Sequence, residues 1–553
     1  MEIKKKQVFN LKLSEFKTNL LSPQLIFLYF GIVFFLFHFP GEWTWKSWVH
    51  YHSGFLFLLF VLYLSFEIWN LKNENRSSFI VSSLRTIVFF LLVLALNYQW
   101  VFQTEVRFSL VSYAFLHAKD LIYEFDSFFE LWTTIHYFPL VVFWIFHKTK
   151  FLQNKLRLGL VIFVYLVIVF ASKLDFDQKD VGSQLQNRNQ KVNRYLDQIP
   201  ENTNIVMVVL EGVSRNHILE QKSKYIDYSK LSGSHFFIPM PHTSKSIYTW
   251  MTGDSQLNST RIEVPTNDFD INLPNSLTKE HQYDTLMLYT QSIYFEGMNL
   301  YFPNIFSTLW DKTKLESEYK DQFVTFSWGM DDRVILTHLK QSPMRKSPYF
   351  ILIGLSQTHS PYFSVSDQVQ TSSKLIRHKQ ALSENIKLID DLIVYFQSKS
   401  KTETLLIITA DHGESFGEEG AQIHNYSLYN QELDVPFLFY FIQSKELYVP
   451  HLGSSIHFKD TILDLLSKGK TKSSKNQNTN QFFSKEYKLD LICKTWNSDI
   501  QRGFITEGKK YIFHSDTGIL YEMDLDDSHR IPISNGKKKE SIIGKMYESI
   551  FSK

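Results

Sequence analysis

Residues 404–414 read Thr-Leu-Leu-Ile-Ile-Thr-Ala-Asp-His-Gly-Glu, an apolar run that ends in an acid, an imidazole, a glycine and a second acid. A run of the same kind, Asn-Ile-Val-Met-Val-Val-Leu at residues 204–210, ends in Glu211. Near-continuous apolar runs of this length are typical of parallel strands that are buried on both faces of a sheet. The two runs therefore predict a layered α/β domain with polar residues where its strands end.

Three more apolar runs predict further strands of the same sheet. They lie at residues 283–289, 349–355 and 435–441, and helical stretches such as 374–398 fall between them. Strands that alternate with helices favour a doubly wound, mostly parallel sheet. In such sheets, ligand sites form beyond the carboxyl ends of the strands. His359, which follows the run at 349–355, is therefore also expected at that edge.

Carboxylate and imidazole groups at strand ends suit a borderline divalent cation such as Zn²⁺ or Mn²⁺. Glu211 follows one strand, and the adjacent Asp411 and His412 follow another. Each residue also has an ordinary interpretation: Glu211 as a cap or surface charge, residues 411–413 as a turn with a helix cap, and His359 as a loop histidine. Their common position at the strand ends of one predicted sheet favours the metal site.

Residues 241–253, Pro-His-Thr-Ser-Lys-Ser-Ile-Tyr-Thr-Trp-Met-Thr-Gly, predict a short helix that begins with hydroxyl residues and ends at Gly253. A hydroxyl at a helix N-terminus lies where backbone N–H groups and the helix dipole favour a phosphate or a sulfate. A cation bound nearby would lower the pKa of that hydroxyl and make it a nucleophile. Thr243 is the candidate, and the alternative is a plain Ser/Thr helix cap.

The first third of the chain is apolar and holds a large share of the 49 phenylalanines. This region contains five apolar segments. Lysines and arginines are concentrated before the first segment and after the second and fourth segments. The N-terminus is therefore expected on the inner side of the membrane, and everything after the fifth segment on the outer side. Buried core helices are the alternative, which the close spacing of the segments disfavours. The five segments approach the length of a membrane-spanning helix and lie at residues 22–39, 54–69, 86–102, 131–146 and 158–171.

These features divide the chain into three parts: a five-span transmembrane domain (residues 1–174), a polar linker (175–203) and an extracytoplasmic catalytic domain (204–553). No cleavable signal is evident at the N-terminus. The predicted location is therefore the cell (inner) membrane, with a multi-pass anchor. The net charge of +2 gives no case for nucleic-acid binding, and the single Cys493 excludes an intrachain disulfide. Residues 470–481 form a polar insertion in the catalytic part.

Together these motifs resemble the sulfatase-like branch of the alkaline phosphatase superfamily, over roughly residues 204–535. That branch has an acidic metal ligand after its first strand, here Glu211, and Asp-His-Gly-Glu after a later strand, here residues 411–414. Its nucleophile motif precedes a Thr-Gly pair, and alignment on residues 252–253 puts the nucleophile at Thr243. Other positions that match the branch are His424, Tyr429, Val435, Pro436 and the strand at 520–524.

The membrane segments and outward domain resemble one subset, the lipoteichoic acid synthases and the lipid A phosphoethanolamine transferases. Residues 328–332 also resemble a Trp-Gly-x-x-Asp stretch of the synthases, whereas their Trp-Asn-Arg segment and the transferases' paired cysteines are absent. Lys245 fits neither group closely. The resemblance implies that Thr243 is the nucleophile, that a metal ion is held by Glu211, Thr243, Asp411 and His412, and that His359 and His424 contact the phosphate.

The resemblance implies transfer of a phospho-headgroup, of the phosphoethanolamine or phosphoglycerol type. The donor would be a membrane phospholipid, the acceptor a surface glycan or lipid, the intermediate a phospho-threonine and the cofactor Mn²⁺ or Zn²⁺. The main alternative is a hydrolase, namely a sulfatase, phosphodiesterase or phosphatase. Thr243 argues against a conventional sulfatase, whose reactive aldehyde is made from Cys or Ser, unless the alignment is off by one and Ser244 is the relevant residue. A third alternative is a non-catalytic member, although no ligand position is lost.

Overall fold

The computed structural model describes residues 190–551, apart from 258–263, 266–268, 295, 327, 344, 366–372, 421–423, 468–479, 497–500 and 516. The five predicted spans, the linker before residue 190 and nearly all of the polar insertion lie outside the described residues. Within those described ranges, no helix is both long enough and apolar enough to cross a bilayer.

In the described residues, strands and helices alternate along much of the chain, as the sequence predicts. The strands are β1 (Val192–Asn193), β2 (Asn204–Leu210), β3 (His235–Phe237), β4 (Asp284–Tyr289), β5 (Thr308–Trp310), β6 (Tyr349–Leu355), β7 (Thr404–Ala410), β8 (Phe437–Phe441), β9 (Glu446–Tyr448), β10 (Leu452–Ser454), β11 (Leu491–Lys494), β12 (Gln501–Thr506), β13 (Lys509–His514), β14 (Ile519–Asp524) and β15 (Ile531–Pro532). The α-helices are α1 (Arg215–Leu219), α2 (Thr243–Thr252), α3 (Leu273–His281), α4 (Met298–Tyr301), α5 (Lys312–Tyr319), α6 (Val334–Gln341), α7 (Lys374–Lys399), α8 (Asn430–Leu433), α9 (Phe458–Ser467) and α10 (Gly536–Phe551).

The central sheet has eight strands in the order β1-β9-β8-β7-β2-β6-β4-β5. β2 is parallel to both of its neighbours, β6 and β7, and the parallel pattern continues through β4 and β5. β8 runs antiparallel to β7 and to β9. The sheet is therefore mixed and mostly parallel. An apolar run indicates burial on both faces rather than strand direction, which is why the sequence did not predict the reversal at β8.

The predicted strands and the long predicted helix are confirmed, with bounds that differ by at most two residues. Every residue of β2, β6 and β7 is buried. Successive side chains of a strand point to opposite faces, so complete burial means that both faces of the sheet are covered. This burial explains why these strands read as unbroken apolar runs.

The register of the three central strands brings their carboxyl ends to one edge. Leu210 at the end of β2 pairs with Leu355 of β6 and with Ala410 of β7. The residues that follow, Glu211 and Asp411 among them, therefore leave the sheet side by side. The predicted meeting of polar residues at strand ends thus has its basis in strand register.

The helix α2 is fixed to the sheet through Trp250, which is fully buried. Its ring stacks on Phe236 and Phe437, at centroid distances of 5.3 and 5.8 Å. The helix ends at Gly253, as predicted, with a left-handed φ of 82° and a backbone N–H that donates to the carbonyl oxygen of Thr249. The first turn of α2 is thereby held at the edge where β2 and β7 end.

Five antiparallel strands form a second, smaller sheet in the order β11-β12-β13-β14-β15. Helix α10 packs against it through Met546, which forms an apolar cluster with Phe504 and Leu520. The sequence predicted only the strand at 520–524 of this sheet, because strands such as β11, β13 and β14 are only partly buried and are too short or too polar to form long apolar runs.

Residues 190–203 belong to the predicted linker, yet they pack on the central sheet. β1 pairs with β9, and Leu196 and Ile199 are buried in the main core. The end of the predicted linker is therefore part of the folded domain.

Candidate metal centre and active site

Four of the predicted site residues converge where β2, β7 and α2 meet. The hydroxyl oxygen of Thr243 lies 3.1 Å from Oε1 of Glu211 and 3.1 Å from Nε2 of His412. That Nε2 atom lies 3.3 Å from Glu211 Oε1 and 3.4 Å from Oδ2 of Asp411. All four side chains are buried. The structure thus brings together the whole predicted ligand set.

The spacing of these atoms fits a small cation. Ligands about 2.0 Å from a tetrahedral zinc ion lie about 3.3 Å from one another, which matches the distances above. Potential ligand atoms of Glu211, Asp411 and His412 all lie within 4.8 Å of one another. Asp411 Oδ2 is buried and has no hydrogen-bond partner, and a buried lone pair of this kind requires a compensating charge or donor. The donor set therefore fits a divalent ion of the Zn²⁺ or Mn²⁺ type.

The electrostatics of the centre also favour a positive charge. Burial raises the pKa of Asp411, and the neighbouring Glu211 carboxylate raises it further. Burial opposes a charge on His412, but the carboxylates of Asp411 and Glu211 raise its pKa above the ordinary value. Two carboxylates in one buried site stabilise a cation between them, whether a proton or a metal ion.

Backbone groups orient two of the ligands. His412 Nδ1 lies 2.9 Å from the carbonyl oxygen of Gly413, so the ring donates there and leaves Nε2 for the centre. Asp411 Oδ1 accepts from the N–H groups of Gly212, at 3.0 Å, and of His412, at 2.7 Å. Those bonds turn Oδ2 of Asp411 toward His412 Nε2.

Glu211 is oriented by residues that the sequence analysis did not single out. Gln291 Nε2 donates to Glu211 Oε2 at 2.8 Å, and Tyr289 donates its hydroxyl to Gln291 Oε1 at 2.8 Å. The hydroxyl of Thr358 donates to the Glu211 carbonyl oxygen at 2.5 Å. Gln291 lies just beyond β4 and Thr358 just beyond β6, so the rule that found the ligands, polar residues after strand ends, applies to both.

Thr243 and its neighbour Ser244 face different surroundings. The Ser244 hydroxyl donates to Glu296 and lies 3.3 Å from Nδ1 of His242. His242 Nε2 in turn lies 3.2 Å from Glu296 Oε1. Thr243, rather than Ser244, therefore points its hydroxyl at the cluster of predicted metal ligands.

The N-terminus of α2 is open toward the centre. Thr243 is the first helical residue, and the preceding His242 makes no side-chain cap hydrogen bond. The hydroxyl of Ser246 donates to the Asp411 carbonyl oxygen and ties the first turn to the end of β7. A ten-residue helix directed at the site adds a favourable dipole for an anion beside Thr243.

The two predicted phosphate-contacting histidines lie beside the ligands. The ring centroid of His424 is 4.0 Å from that of His412, and the His359 centroid is 6.0 Å from that of His424. Glu414 Oε2 lies 3.2 Å from His424 Nδ1 and orients that ring. Burial lowers the pKa of both His359 and His424, so both rings are neutral before an anion arrives.

The stretch at 328–332 supports the loop that carries His359. Trp328 packs 5.4 Å from the His359 ring, centroid to centroid. The carboxylate of Asp332 accepts from the N–H groups of Ser356, at 2.9 Å, and Gln357, at 3.0 Å. This motif therefore contributes to the geometry after β6, and not to the ligand set.

Comparison with known proteins agrees with this geometry. Residues 203–468 match the family model described as Sulfatase. No curated protein sequence gives a significant match.

Several solved structures are similar to part of this chain. A protein of the alkaline phosphatase superfamily from Vibrio parahaemolyticus is 15% identical, with 65% of this chain and 90% of that chain covered and a TM-score of 0.45. The lipoteichoic acid synthase LtaP from Listeria monocytogenes is 14% identical, with coverages of 64% and 92% and a TM-score of 0.45. The C-terminal periplasmic domain of phosphoethanolamine transferase EptC from Campylobacter jejuni is 15% identical, with coverages of 54% and 99% and a TM-score of 0.38. At these values the similarity carries no information about the reaction. Residues 203–468 are therefore similar to the Sulfatase family, and all four residues of the predicted ligand set lie within this range.

Proposed function

We propose that this chain transfers a phospho-headgroup, of the phosphoethanolamine or phosphoglycerol type, from a phospholipid to a surface glycan or lipid, through a phospho-threonine at Thr243. The observation that carries the proposal is the position of the Thr243 hydroxyl, 3.1 Å from both Glu211 Oε1 and His412 Nε2 at the N-terminus of α2. A hydroxyl placed among metal ligands and helix N–H groups suits attack on a phosphorus atom.

The ion expected here is divalent, held by Glu211, Thr243, Asp411 and His412. When bound, it supplies a Lewis acid that lowers the pKa of the hydroxyl and stabilises negative charge on phosphate oxygens. The chain itself orients the ligands through the contacts of Gly413 and Gln291 and excludes water by burial. Preorganised groups of this kind contribute because they need not rearrange during the reaction.

In the first half-reaction, the phospho-headgroup passes to Thr243 and diacylglycerol leaves. Thr243 reacts as the alkoxide, its proton having passed to solvent, and the Thr243 O–P bond forms as the bond between phosphorus and the diacylglycerol oxygen breaks. The leaving oxygen takes a proton from His424 or His359. Both rings start neutral, and an incoming anionic phosphate favours their protonation.

The second half-reaction reverses these roles. An acceptor hydroxyl attacks the phosphorus and gives its proton to the same imidazole, and the Thr243 O–P bond breaks. Water as the acceptor would make the enzyme a hydrolase. The match to the Sulfatase model supports that alternative, whereas the orientation of Ser244 toward Glu296 gives no support to an aldehyde made at residue 244.

The proposal includes a membrane setting. The five apolar segments at residues 22–171 would anchor the chain in the cell (inner) membrane, with residues 204–553 outside. A catalytic domain tied to the outer leaflet would have the phospholipid donor beside it. The proposed partners are therefore this donor, the membrane, and a glycan or lipid acceptor.

Release of diacylglycerol tests the proposal. The full-length protein is reconstituted in liposomes that contain phosphatidylethanolamine or phosphatidylglycerol, with Mn²⁺ or Zn²⁺ and candidate acceptors. We expect diacylglycerol from one of the two lipids and none from Thr243→Ala. Headgroup recovered on an acceptor supports the transferase, headgroup released into water supports the hydrolase, and intact lipid in every mixture contradicts both.

A further inference from the structure

Lys510 lies in the smaller sheet, and only 1% of its surface is exposed. Its neighbour on β13, Lys509, is partly exposed and pairs with Asp524 at the surface. Adjacent residues of a strand point to opposite faces, so Lys510 points inward. A buried ammonium group is costly unless other groups satisfy it, so its partners identify what it does.

Two partners of Lys510 lie at or just before the start of α8, and a third lies between β14 and β15. Its Nζ donates to Asn430 Oδ1 at 2.6 Å and contacts the Leu428 carbonyl oxygen at 3.4 Å. It also forms an ion pair with Asp527, whose other carboxylate oxygen accepts from the Asn430 N–H at 2.6 Å. We call Lys510, Asp527 and Asn430 the Lys510 triad.

The triad fixes α8, and α8 supports Gly413. Asn430 is the first residue of α8. The Glu432 carbonyl oxygen of the same helix accepts from the Gly413 N–H at 2.9 Å. A Cβ atom built on Gly413 would lie 1.9 Å from the carbonyl oxygen of Gln431. The position of the Gly413 backbone therefore depends on the position of α8.

Gly413 in turn orients a predicted metal ligand. Its carbonyl oxygen lies 2.9 Å from Nδ1 of His412 and fixes which nitrogen of that ring faces the centre. The contacts therefore form one continuous path from Lys510 through Asn430, α8 and Gly413 to His412.

We propose that Lys510 is a positioning residue for the metal centre: it fixes α8 against Gly413 and so sets the orientation of His412. The inference deepens the proposed function, since it rests on the same metal site. It assigns to the smaller sheet a role in metal binding, although no residue of that sheet belongs to the ligand set.

Metal titration of the full-length protein tests this role. Free Mn²⁺ is measured by electron paramagnetic resonance, well below the unfolding temperature of each variant, and Zn²⁺ is measured in a separate titration. Lys510→Met removes the charge and keeps the length of the side chain. We expect it to weaken Mn²⁺ binding by roughly tenfold, at the low end of the loss seen when groups that orient metal ligands are removed. Lys509→Met, on the opposite face of β13, is the matched control and should bind as the wild type does.

A rescue variant separates positioning from general destabilisation. Lys510→Met leaves the Asp527 carboxylate without its cation, and Lys510→Met/Asp527→Asn removes both charges. The double variant should recover most of the lost affinity, to within roughly threefold of wild type. If Lys510→Met does not fold, Asn430→Ala removes one Nζ acceptor while the ion pair remains, and it should weaken binding in the same direction.

The measured metal affinities decide the role of Lys510, whereas modification of Thr243 decides the proposed function. Wild-type affinity in folded Lys510→Met, or in Asn430→Ala where Lys510→Met does not fold, overturns the inference. Equal losses in Lys510→Met and Lys509→Met overturn it too, as does a wild-type protein that binds neither ion. A wild-type protein that binds metal but never modifies Thr243 contradicts the proposed function, and leaves the role of Lys510 to be decided by the affinities.

Discussion

The Nδ1 atom of His412 lies 2.9 Å from the carbonyl oxygen of Gly413, the next residue in the chain. With Nδ1 directed at that carbonyl oxygen, the Nε2 atom of the ring faces Glu211, Asp411 and Thr243. The Thr243 hydroxyl lies 3.1 Å from both Glu211 Oε1 and His412 Nε2. Two carboxyl groups, an imidazole and a hydroxyl thus meet in one buried site, an arrangement that a cation satisfies, either a proton on His412 or a metal ion.

Asp411→Asn should separate stability from metal binding. The asparagine Oδ1 can keep the bonds from Gly212 and His412, while its Nδ2 donates where Asp411 Oδ2 has no partner. Removal of one of two buried carboxylates should raise the free energy of unfolding of the metal-free protein by about 1 kcal/mol. The same change should weaken metal binding by roughly 100-fold or more.

Chelator titration with thermal unfolding checks both halves of that prediction. With the metal removed by EDTA, the variant should unfold at a higher temperature than the wild type. With Mn²⁺ or Zn²⁺ restored, only the wild type should gain stability. A variant that is stabilised by metal as strongly as the wild type would exclude Asp411 as a ligand.

Gly413→Ala should damage the centre through α8. Its Cβ would lie 1.9 Å from the Gln431 carbonyl oxygen, and because that atom is backbone, α8 must move. We expect a loss of about 3 kcal/mol in the free energy of unfolding, together with weaker metal binding. Urea unfolding measures the first and metal titration the second. Gly536→Ala is the control, since a Cβ at Gly536 meets nothing within 4 Å; equal effects of the two changes would contradict the packing argument.

Glu432 should make stability depend on pH. This buried carboxyl accepts from the N–H groups of Tyr426 and Ser427 and from the Ser415 hydroxyl, and burial raises its pKa from 4.5 to about 8. A raised folded-state pKa contributes stability that is complete below the unfolded value of 4.5 and is lost as pH rises through about 8. Relative to Glu432→Gln, the wild type should lose about 2 kcal/mol between pH 6 and pH 9.

Glutamine suits this comparison because its Oε1 can serve the two N–H groups while its Nε2 donates to Ser415. Urea unfolding of both proteins at several pH values gives the difference directly. Parallel pH curves for Glu432→Gln and the wild type would show that Glu432 does not change its charge on folding.

The main sheet and the metal ligands were predictable because both follow from one pattern. Unbroken apolar runs mark strands that are buried on both faces, and parallel strands in register leave their next residues at one edge. Glu211, Asp411 and His412 could therefore be predicted to meet before any geometry was known.

Other features depend on contacts that are distant in sequence. Gln291 is 80 residues from Glu211, and Lys510 is 80 residues from Asn430, so no local pattern links either pair. Most of the smaller sheet was missed because its partly buried strands β13 and β14 carry charged residues among the apolar ones. The Ser244 side chain contacts Glu296 and does not face the centre. That contact could not be predicted without the path of the loop that carries Glu296.

A peptide mass spectrum across Thr243 tests the central claim most directly. The full-length protein is incubated with phosphatidylethanolamine and phosphatidylglycerol and with Mn²⁺ or Zn²⁺, then digested. The account predicts a phosphoethanolamine or phosphoglycerol adduct on Thr243, present in Ser244→Ala and absent in Thr243→Ala. A bare Thr243 in a protein that binds metal and consumes lipid, or an aldehyde at Ser244, would contradict it.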